Sequence, residues 1–416
     1  MTCRLAASTI LALMGLASGA LAAPRFEVAS WVDHYDFTGV KAEGKYVFDT
    51  ETPEGCAKIL DHVQEVGTTT ILWRNCGGAT MRYQSREDVG HHATIPDKRR
   101  LPNNVDPGGW VRYGEADPDI LRTALQMCRE RGLKPGVHWP FEETHWASWT
   151  SGGFNLDHPQ FWAQDVSGQP WWGRTSLAFP EVMAHKLRLV DELIDRGIET
   201  LFIDFFRTGG WGAAYEYVTP MREAFEKRYG EPAPISSADP RWRALVSDQV
   251  TDFLKAIRQR FDASGRKIDL MVGIPGIAPL DNQWAAAQPT DWRRWIDEGI
   301  IDGLVINYVS WDAADPMGST KKLCNDVMKV ARGRCRVYWP IRAYDYSGYG
   351  LPSYQKATKR SQADLAAELM EMAWEQGAAG VSLECVDYNN YVPATRQAMK
   401  ALAEGKCKYV HEPATQ

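Results

Sequence analysis

The chain is poor in clustered positive charge: its longest basic stretch is Lys98-Arg99-Arg100, and its net charge is -6 over 416 residues. The footprint by which proteins neutralise nucleic-acid phosphates is therefore missing. It also lacks the spacings that hold metal ions. There is no CxxC pair, and His138 and His145 flank Glu142 and Glu143 without the HExxH arrangement, so no metal site is expected. No GxSxG elbow occurs, which disfavours an esterase of the α/β-hydrolase type. No glycine-rich phosphate loop follows the first strand-like run, so neither a dinucleotide fold nor a bound cofactor is expected. Beyond residue 23 the chain has no apolar run long enough to span a bilayer.

The one apolar stretch of note lies at the very start. Arg4 precedes a run from Leu5 to Leu16, and Ala20-Leu21-Ala22 offers small residues around a cleavage point. These features predict a signal peptide over residues 1–23, cut near Ala22 or Ala23. A mature chain of residues 24–416, periplasmic or secreted and with no membrane attachment after cleavage, is the expectation. Seven cysteines remain in it, at 56, 76, 128, 324, 335, 385 and 407. In an oxidising compartment some could pair, Cys324 and Cys335 being nearest in sequence, and the odd number leaves at least one free or intermolecular.

What is present is a repeating pattern. Eight strand-like runs occur, at 26–32, 69–75, 134–140, 200–206, 268–274, 302–308, 336–342 and 379–385. Amphipathic segments separate them, over 53–66, 117–131, 180–196, 242–261, 291–298, 321–332 and 362–376, with a closing one at 393–403. Most end in glycine before the next strand, as in "QEVG", "RERG", "IDRG", "IDEG" and "WEQG". Eight such units predict an α/β protein, a single-domain (β/α)8 TIM barrel, rather than an open doubly wound sheet. The connections after strands 2 to 5 are long, those entering each strand short. Long loops thus gather at the C-terminal ends of the strands, where barrels of this kind hold their sites.

Residues with chemistry to offer fall at that face. "TLFIDFF" places Asp204 among apolar neighbours at the end of strand 4, with Arg207 three residues on. The bland reading is a rim ion pair between the two; the functional one is a catalytic carboxylate. Cleaving a glycosidic bond needs two carboxyl groups, ~5 Å apart for a covalent route or ~6.5–9.5 Å apart when water attacks directly. Candidate partners are Glu384 at the end of strand 8, Asp312 in the loop after strand 6, and Glu142 or Glu143 after strand 3. Tryptophan is abundant, 17 in all, and many lie at or beyond strand ends: Trp31, Trp73, Trp139, Trp211, Trp311 and Trp339, with Tyr308, while Trp146, Trp149, Trp171 and Trp172 crowd one loop. Aromatic faces stack on pyranose rings. Trp73, Trp139, Tyr308 and Trp339 are therefore expected to line a carbohydrate cleft. Arg74, His138, Glu142, Arg207, Asn307 and Arg342 would supply directional hydrogen bonds, the arginines to an anionic substituent.

The segment "LDHPQFWAQDVSGQPWWGRTSLAFPEVMAHKLRLVDELIDRGIETLFIDFFRTGGW", residues 156 to 211, resembles the bacterial family 10 glycosyl hydrolase-like proteins. Its pattern is hP-x-FW-x-D-x-x-G-x-x-W, then S-x-A-x-PEV, a helix, and x-D-F-x-R. The likeness continues through "EAFEKRYGEPAPISSADPRWRALVSDQVTDFLKAIR" and "DWRRWIDEGIIDGLVI" and is strongest between residues 117 and 310. It implies a (β/α)8 barrel that hydrolyses glycosides, with Asp204 and Arg207 on the acidic motif of strand 4 and Ser176 and Glu181 on the approach to it. Family 10 xylanases proper carry Glu after Asn at strand 4, whereas Asp204 follows Ile203. An Asp there is more similar to the nucleophile of α-galactosidase-like barrels, whose acid follows strand 6, as Asp312 does.

The combined expectation is an exported glycoside hydrolase acting on a polysaccharide or oligosaccharide, with Asp204 and Glu384 or Asp312 as its carboxylates. A catalytically silent carbohydrate-binding barrel is the alternative. A metal-dependent deacetylase or amidase is disfavoured by the scarcity of clustered histidine.

Overall fold

A computed structural model of the chain describes residues 26–32, 41–42, 45–46, 52–65, 67–77, 80–81, 83, 85–87, 117–141, 153–205, 212–276, 290–309, 314–341 and 362–384. Eight parallel strands close into a barrel: β1 (Glu27–Val32), β2 (Thr70–Arg74), β3 (Lys134–Pro140), β4 (Thr200–Asp204), β5 (Asp269–Gly276), β6 (Gly303–Val309), β7 (Arg336–Ile341) and β8 (Gly380–Glu384). Each pairs with its sequence neighbours, and β8 closes onto β1. The main described helices are α1 (Pro53–Glu65), α2 (Ile120–Glu130), α3 (Pro180–Arg196), α4 (Thr219–Tyr229), α5 (Pro240–Ala263), α6 (Trp292–Asp297), α7 (Pro316–Ala331) and α8 (Gln362–Glu375). All eight expected strands are thus present. The closing helix expected at 393–403 and the signal peptide lie outside the described residues.

The strands are apolar on both faces because both are covered, as a parallel sheet requires. Outward residues such as Ile71, Trp73, Val137, Trp139, Ile203, Leu304 and Trp339 join the helices in one large cluster, while Ala29, Trp31, Leu72, Phe202, Met271, Val305 and Tyr338 form a second cluster inside the barrel. The helix-ending glycines expected from sequence, Gly67, Gly132, Gly197, Gly299 and Gly377, all have positive φ. At Gly197 (φ 87°) the left-handed turn lets its N–H reach the carbonyls of Leu193 and Ile194, stopping α3 one residue before the approach to β4.

Inside the barrel the side chains stack in layers of four from alternate strands. The lowest is charged: Glu27, Lys134, Asp269 and Arg336 begin β1, β3, β5 and β7. Asp269 takes bonds from Lys134 and Arg336, and Glu27 accepts from Arg336 at 3.5 Å and from the Tyr338 hydroxyl at 2.7 Å. Above it the layers need glycine where a neighbour is large. A Cβ at Gly380 would overlap the Glu27 carbonyl oxygen and lie 2.8 Å from its carbon; one at Gly136 would lie 2.6 Å from Leu72 Cδ2. Backbone cannot give way as a side-chain tip can, so Gly380→Ala is expected to cost ~1–3 kcal/mol or more, measured as a lower denaturant midpoint at unchanged slope.

Cys324 on α7 and Cys335 before β7, the two nearest in sequence, are both free thiols. Burial pushes each up to about 12, so both stay protonated and unreactive. Among the described residues no helix is long and apolar enough to cross a membrane.

Candidate functional site

The inward positions at the C-terminal end of the barrel follow from parity. Leu72, Phe202, Val305 and Ser382 are inward residues of the even-numbered strands; two residues on come Arg74, Asp204, Asn307 and Glu384. By the layering rule these four strand positions make the last layer of the barrel, below the long loops. The side chains of Asn307, Tyr308 and Glu384 lie outside the described residues, as do Glu142, Glu143, Arg207, Trp211, Asp312 and Arg342 altogether. The expected Asp204–Arg207 pairing falls with them.

Asp204 is fully buried, and its Oδ2 stands 3.4 Å from Nε2 of His138, itself fully buried. His138 belongs to the inward layer beneath, paired in register with Arg74 on β2 and Phe202 on β4. Its ring stacks on Phe202 (5.1 Å, 19°) and stands 5.2 Å from Trp31. Arg74 is also buried, and its Nε donates to the Cys76 carbonyl at 2.6 Å. Of the expected polar residues, His138 thus stands on the strand next to Asp204, and Arg74 lies one strand further, in register with His138.

Three expected aromatic contacts are corrected. Trp73, Trp139 and Trp339 pack outward between strands and helices, 3%, 2% and 0% exposed. Trp73 Nε1 donates to Cys128 Sγ at 3.2 Å, and Trp139 meets Phe141 and Phe253. The physical reason is the two-residue strand period: Trp73 and Arg74, or His138 and Trp139, cannot both face the barrel interior. Trp31 does face inward, closing the barrel between His138 and Phe202.

Beside β4, a wall is built from the segment after β3. A helical turn (Gly153–Asp157) and a 3-10 turn (Pro159–Phe161) lead into an antiparallel pair, Trp162–Gln164 with Pro170–Thr175. The sequence motif there is architecture. Asp165 accepts from the Ser167 and Gln169 N–H groups at 2.8 and 2.9 Å, and Gly168 takes φ 85°, so D-x-x-G is the hairpin turn. Trp162 Nε1 donates to the Asn155 carbonyl at 2.5 Å, and Trp171 meets Tyr215 edge-on at 4.2 Å. Ser176 donates to Glu216 Oε2 at 2.5 Å, and Arg174 lies 3.6 Å from Oε1. These bonds dock the hairpin on the stretch leading from β4 into α4, a helix sequence reasoning missed. That stretch has its own small core around Trp242, stacked on Tyr217 at 4.4 Å.

His185 of α3 stacks on Phe154 of this wall at 3.9 Å and 6°. Burial first, then the cations Lys186, Arg188 and His158, pull its pKa down to about 2. Its folded value lies below the unfolded one, so its contribution is complete above pH ~6.5 and is lost as pH falls. His185→Phe is therefore expected to flatten the decline in stability between pH ~6.5 and ~4, read from thermal melts across that range.

Among the described residues no group of three or more His, Cys, Asp or Glu is placed to hold a metal ion. No family model and no curated protein matches the chain. Solved structures do. A β-galactosidase from the psychrophilic Marinomonas ef1 is 12% identical, with a TM-score of 0.53, over 93% of this chain and 62% of its own. An α-amylase from Lactobacillus plantarum is 10% identical, with a TM-score of 0.50, over 92% of this chain and 80% of its own. An exo-β-N-acetylglucosaminidase from Vibrio harveyi is 9% identical, with a TM-score of 0.50, over 91% of this chain and 54% of its own. This chain therefore spans less than two thirds of the first and last of these proteins, and at such identities the likeness is one of fold.

Proposed function

We propose that the chain is an exported glycoside hydrolase that cleaves O-glycosidic bonds of a polysaccharide or oligosaccharide, with Asp204 and Glu384 as its carboxylate pair. The observation that carries the reading is their shared layer. Asp204 ends β4 and Glu384 ends β8, four strands apart in the closed eight-stranded order, and the two-residue strand period gives both the same parity. Two carboxyls converging from opposite sides are what an oxocarbenium-like transition state requires: one to attack or activate water, one to protonate the leaving oxygen. Asp312 remains the other candidate acid. Support of a second kind is that the structures of like fold named above are those of a β-galactosidase, an α-amylase and an exo-β-N-acetylglucosaminidase. Export rests on the N-terminal sequence alone, and the intact mass of protein recovered from the producing cell, cut near Ala22 or Ala23 or uncut, tests it.

One observation favours the second reading, a carbohydrate-binding barrel without catalysis: Asp204 has no exposed surface and faces His138. The two readings separate in one experiment. The mature protein is incubated with a panel of plant and algal polysaccharides and nitrophenyl glycosides, and new reducing ends or nitrophenol are measured. Release supports the hydrolase. Retention on an insoluble polysaccharide without release from any substrate supports the binding barrel.

A further inference from the structure

We propose that His185 is an acid-sensitive latch for the wall beside β4: its neutral ring docks residues 153–161 on α3, and its protonation releases them while the barrel stays folded. The latch works whatever the barrel binds, so it goes beyond the glycosidase reading and is tested apart from it.

The seam between the wall and α3 is a pile of rings. His185, 3% exposed, lies flat on Phe154 at 3.9 Å and 6°. Phe154 also stacks on His158 at 4.3 Å, His158 on Phe161 at 5.6 Å, and Phe161 meets Phe179, the residue before α3, at 5.1 Å. Such a seam holds by ring contact and burial rather than by directional bonds. His185 Nδ1 is buried with no hydrogen-bond partner among the described residues. Neutral, the ring can keep its one proton on Nε2 and leave Nδ1 as an unused acceptor; protonated, it must bury a charged N–H that nothing accepts. Attraction of the cation to the face of Phe154 returns only part of that cost. The charged and titratable groups that act on the ring are Lys186 and Arg188 on α3 and His158 on the wall, all of them basic. Arg188 is bonded by Glu87 of the segment after β2, and among the described residues no carboxylate bonds the His185 ring.

The other side of the wall is held differently. Asn155 Nδ2 donates to the Gly173 carbonyl at 3.0 Å, which ties the turns to the hairpin, and Tyr217 N donates to the Gln164 carbonyl at 2.9 Å, which ties the hairpin to the stretch between β4 and α4. Acid leaves these bonds intact, so the wall swings away from α3 about that seam. The direction of the effect follows from where the proton is held. Docked, the ring has its pKa pulled down to about 2, by burial first and then by Lys186, Arg188 and His158; released into water it returns to ~6.5. The docked state therefore binds fewer protons. Docking is at full strength above pH ~6.5 and weakens ~10-fold per pH unit below it, ~100-fold by pH ~4.5.

Amide hydrogen exchange tests the latch. The amides of His158 and Phe161 donate within the turns, to the Phe154 and His158 carbonyls, so the segment has protection to lose. Exchange is measured between pH 4.5 and 7.5 on wild type, His185→Phe and His158→Gln, with rates corrected for the intrinsic effect of pH. In wild type the protection of residues 153–161 is expected to fall ~10-fold per pH unit below ~6.5, and at pH 4.5 these amides should exchange while those of β3 and β4 stay protected. His185→Phe keeps a ring on Phe154 that cannot ionise and should hold the protection level; His158→Gln should keep the wild-type fall. Protection independent of pH, or lost in the wall only together with β3 and β4, overturns the latch. So does a fall that survives His185→Phe or vanishes with His158→Gln. Should His185→Phe fail to fold, the other two proteins still decide: the fall must be present, confined to the wall and independent of His158.

Discussion

Asp204→Asn is expected to reduce glycoside cleavage at least ~100-fold while leaving the protein folded, because general-base or nucleophilic participation contributes ~100- to 10,000-fold and the amide can supply neither. The substitution keeps the shape of the side chain, fully buried beside His138, and removes a charge, so little packing is lost. The opposite pattern, a large fall in melting temperature with activity intact, would make Asp204 a structural ion pair and end the case for it as a catalytic group. The companion variant separates the two carboxylates. If Glu384 is the proton donor, Glu384→Gln should cripple hydrolysis of a natural sugar linkage, whose leaving oxygen needs the proton. It should spare an aryl glycoside such as a nitrophenyl sugar, whose leaving group departs unaided. Equal losses on both would move the donor role to Asp312.

These experiments turn on positions that period-two counting makes legible. Asp204 was readable because an acid inside "TLFIDFF" breaks a run otherwise apolar on both faces, and the glycine after each helix fixed where each strand begins. The same counting shows why the aromatic cleft was overread. A tryptophan at a strand end marks a wall only if its parity is inward; Trp73, Trp139 and Trp339 are neighbours of inward residues and so belong to the layer beneath the helices. Trp31, with the right parity, turned out to fill the barrel. Helix α4 was missed for another reason. "TPMREAFEKRY" buries only Met221 and Phe225, against a local core supplied by Trp242 and Tyr217, and so has little amphipathic signal of its own. The family-like motif was visible as a pattern but not as architecture, since the bonds that explain it, Ser176 to Glu216 and Trp171 against Tyr215, join residues 40 or more apart in the chain and carry no local periodicity.

The far end of the barrel carries the second large effect: Asp269→Ala is expected to destabilise the fold by ~1–3 kcal/mol, lowering the melting temperature by roughly 2–6 °C. Asp269 accepts from both Lys134 and Arg336 where the barrel interior meets its lower rim, and among the described residues of this layer Glu27 would remain to offset the two cations. Removing the buried carboxylate leaves two half-buried cations without their counterpart, a cost that water reaching Lys134 and Arg336 reduces. The acid side of the stability curve gives an independent check. Burial pushes the Asp269 carboxyl up, but its bonds from Lys134 and then Arg336 more than undo this and hold it below the ordinary carboxylate value. A depressed folded value means the contribution is present above the unfolded pKa, ~3.9, and disappears as pH falls through the folded one. Melts at pH 3 to 7 should therefore show wild type losing its advantage over Asp269→Asn below pH ~4, with the two curves converging at the acid end. A constant gap across that range would mean that Asp269 acts through shape rather than charge. Because this layer lies at the opposite end of the barrel from Asp204, any activity measured on the folded fraction should be unchanged, which separates the scaffold's electrostatics from those of the site.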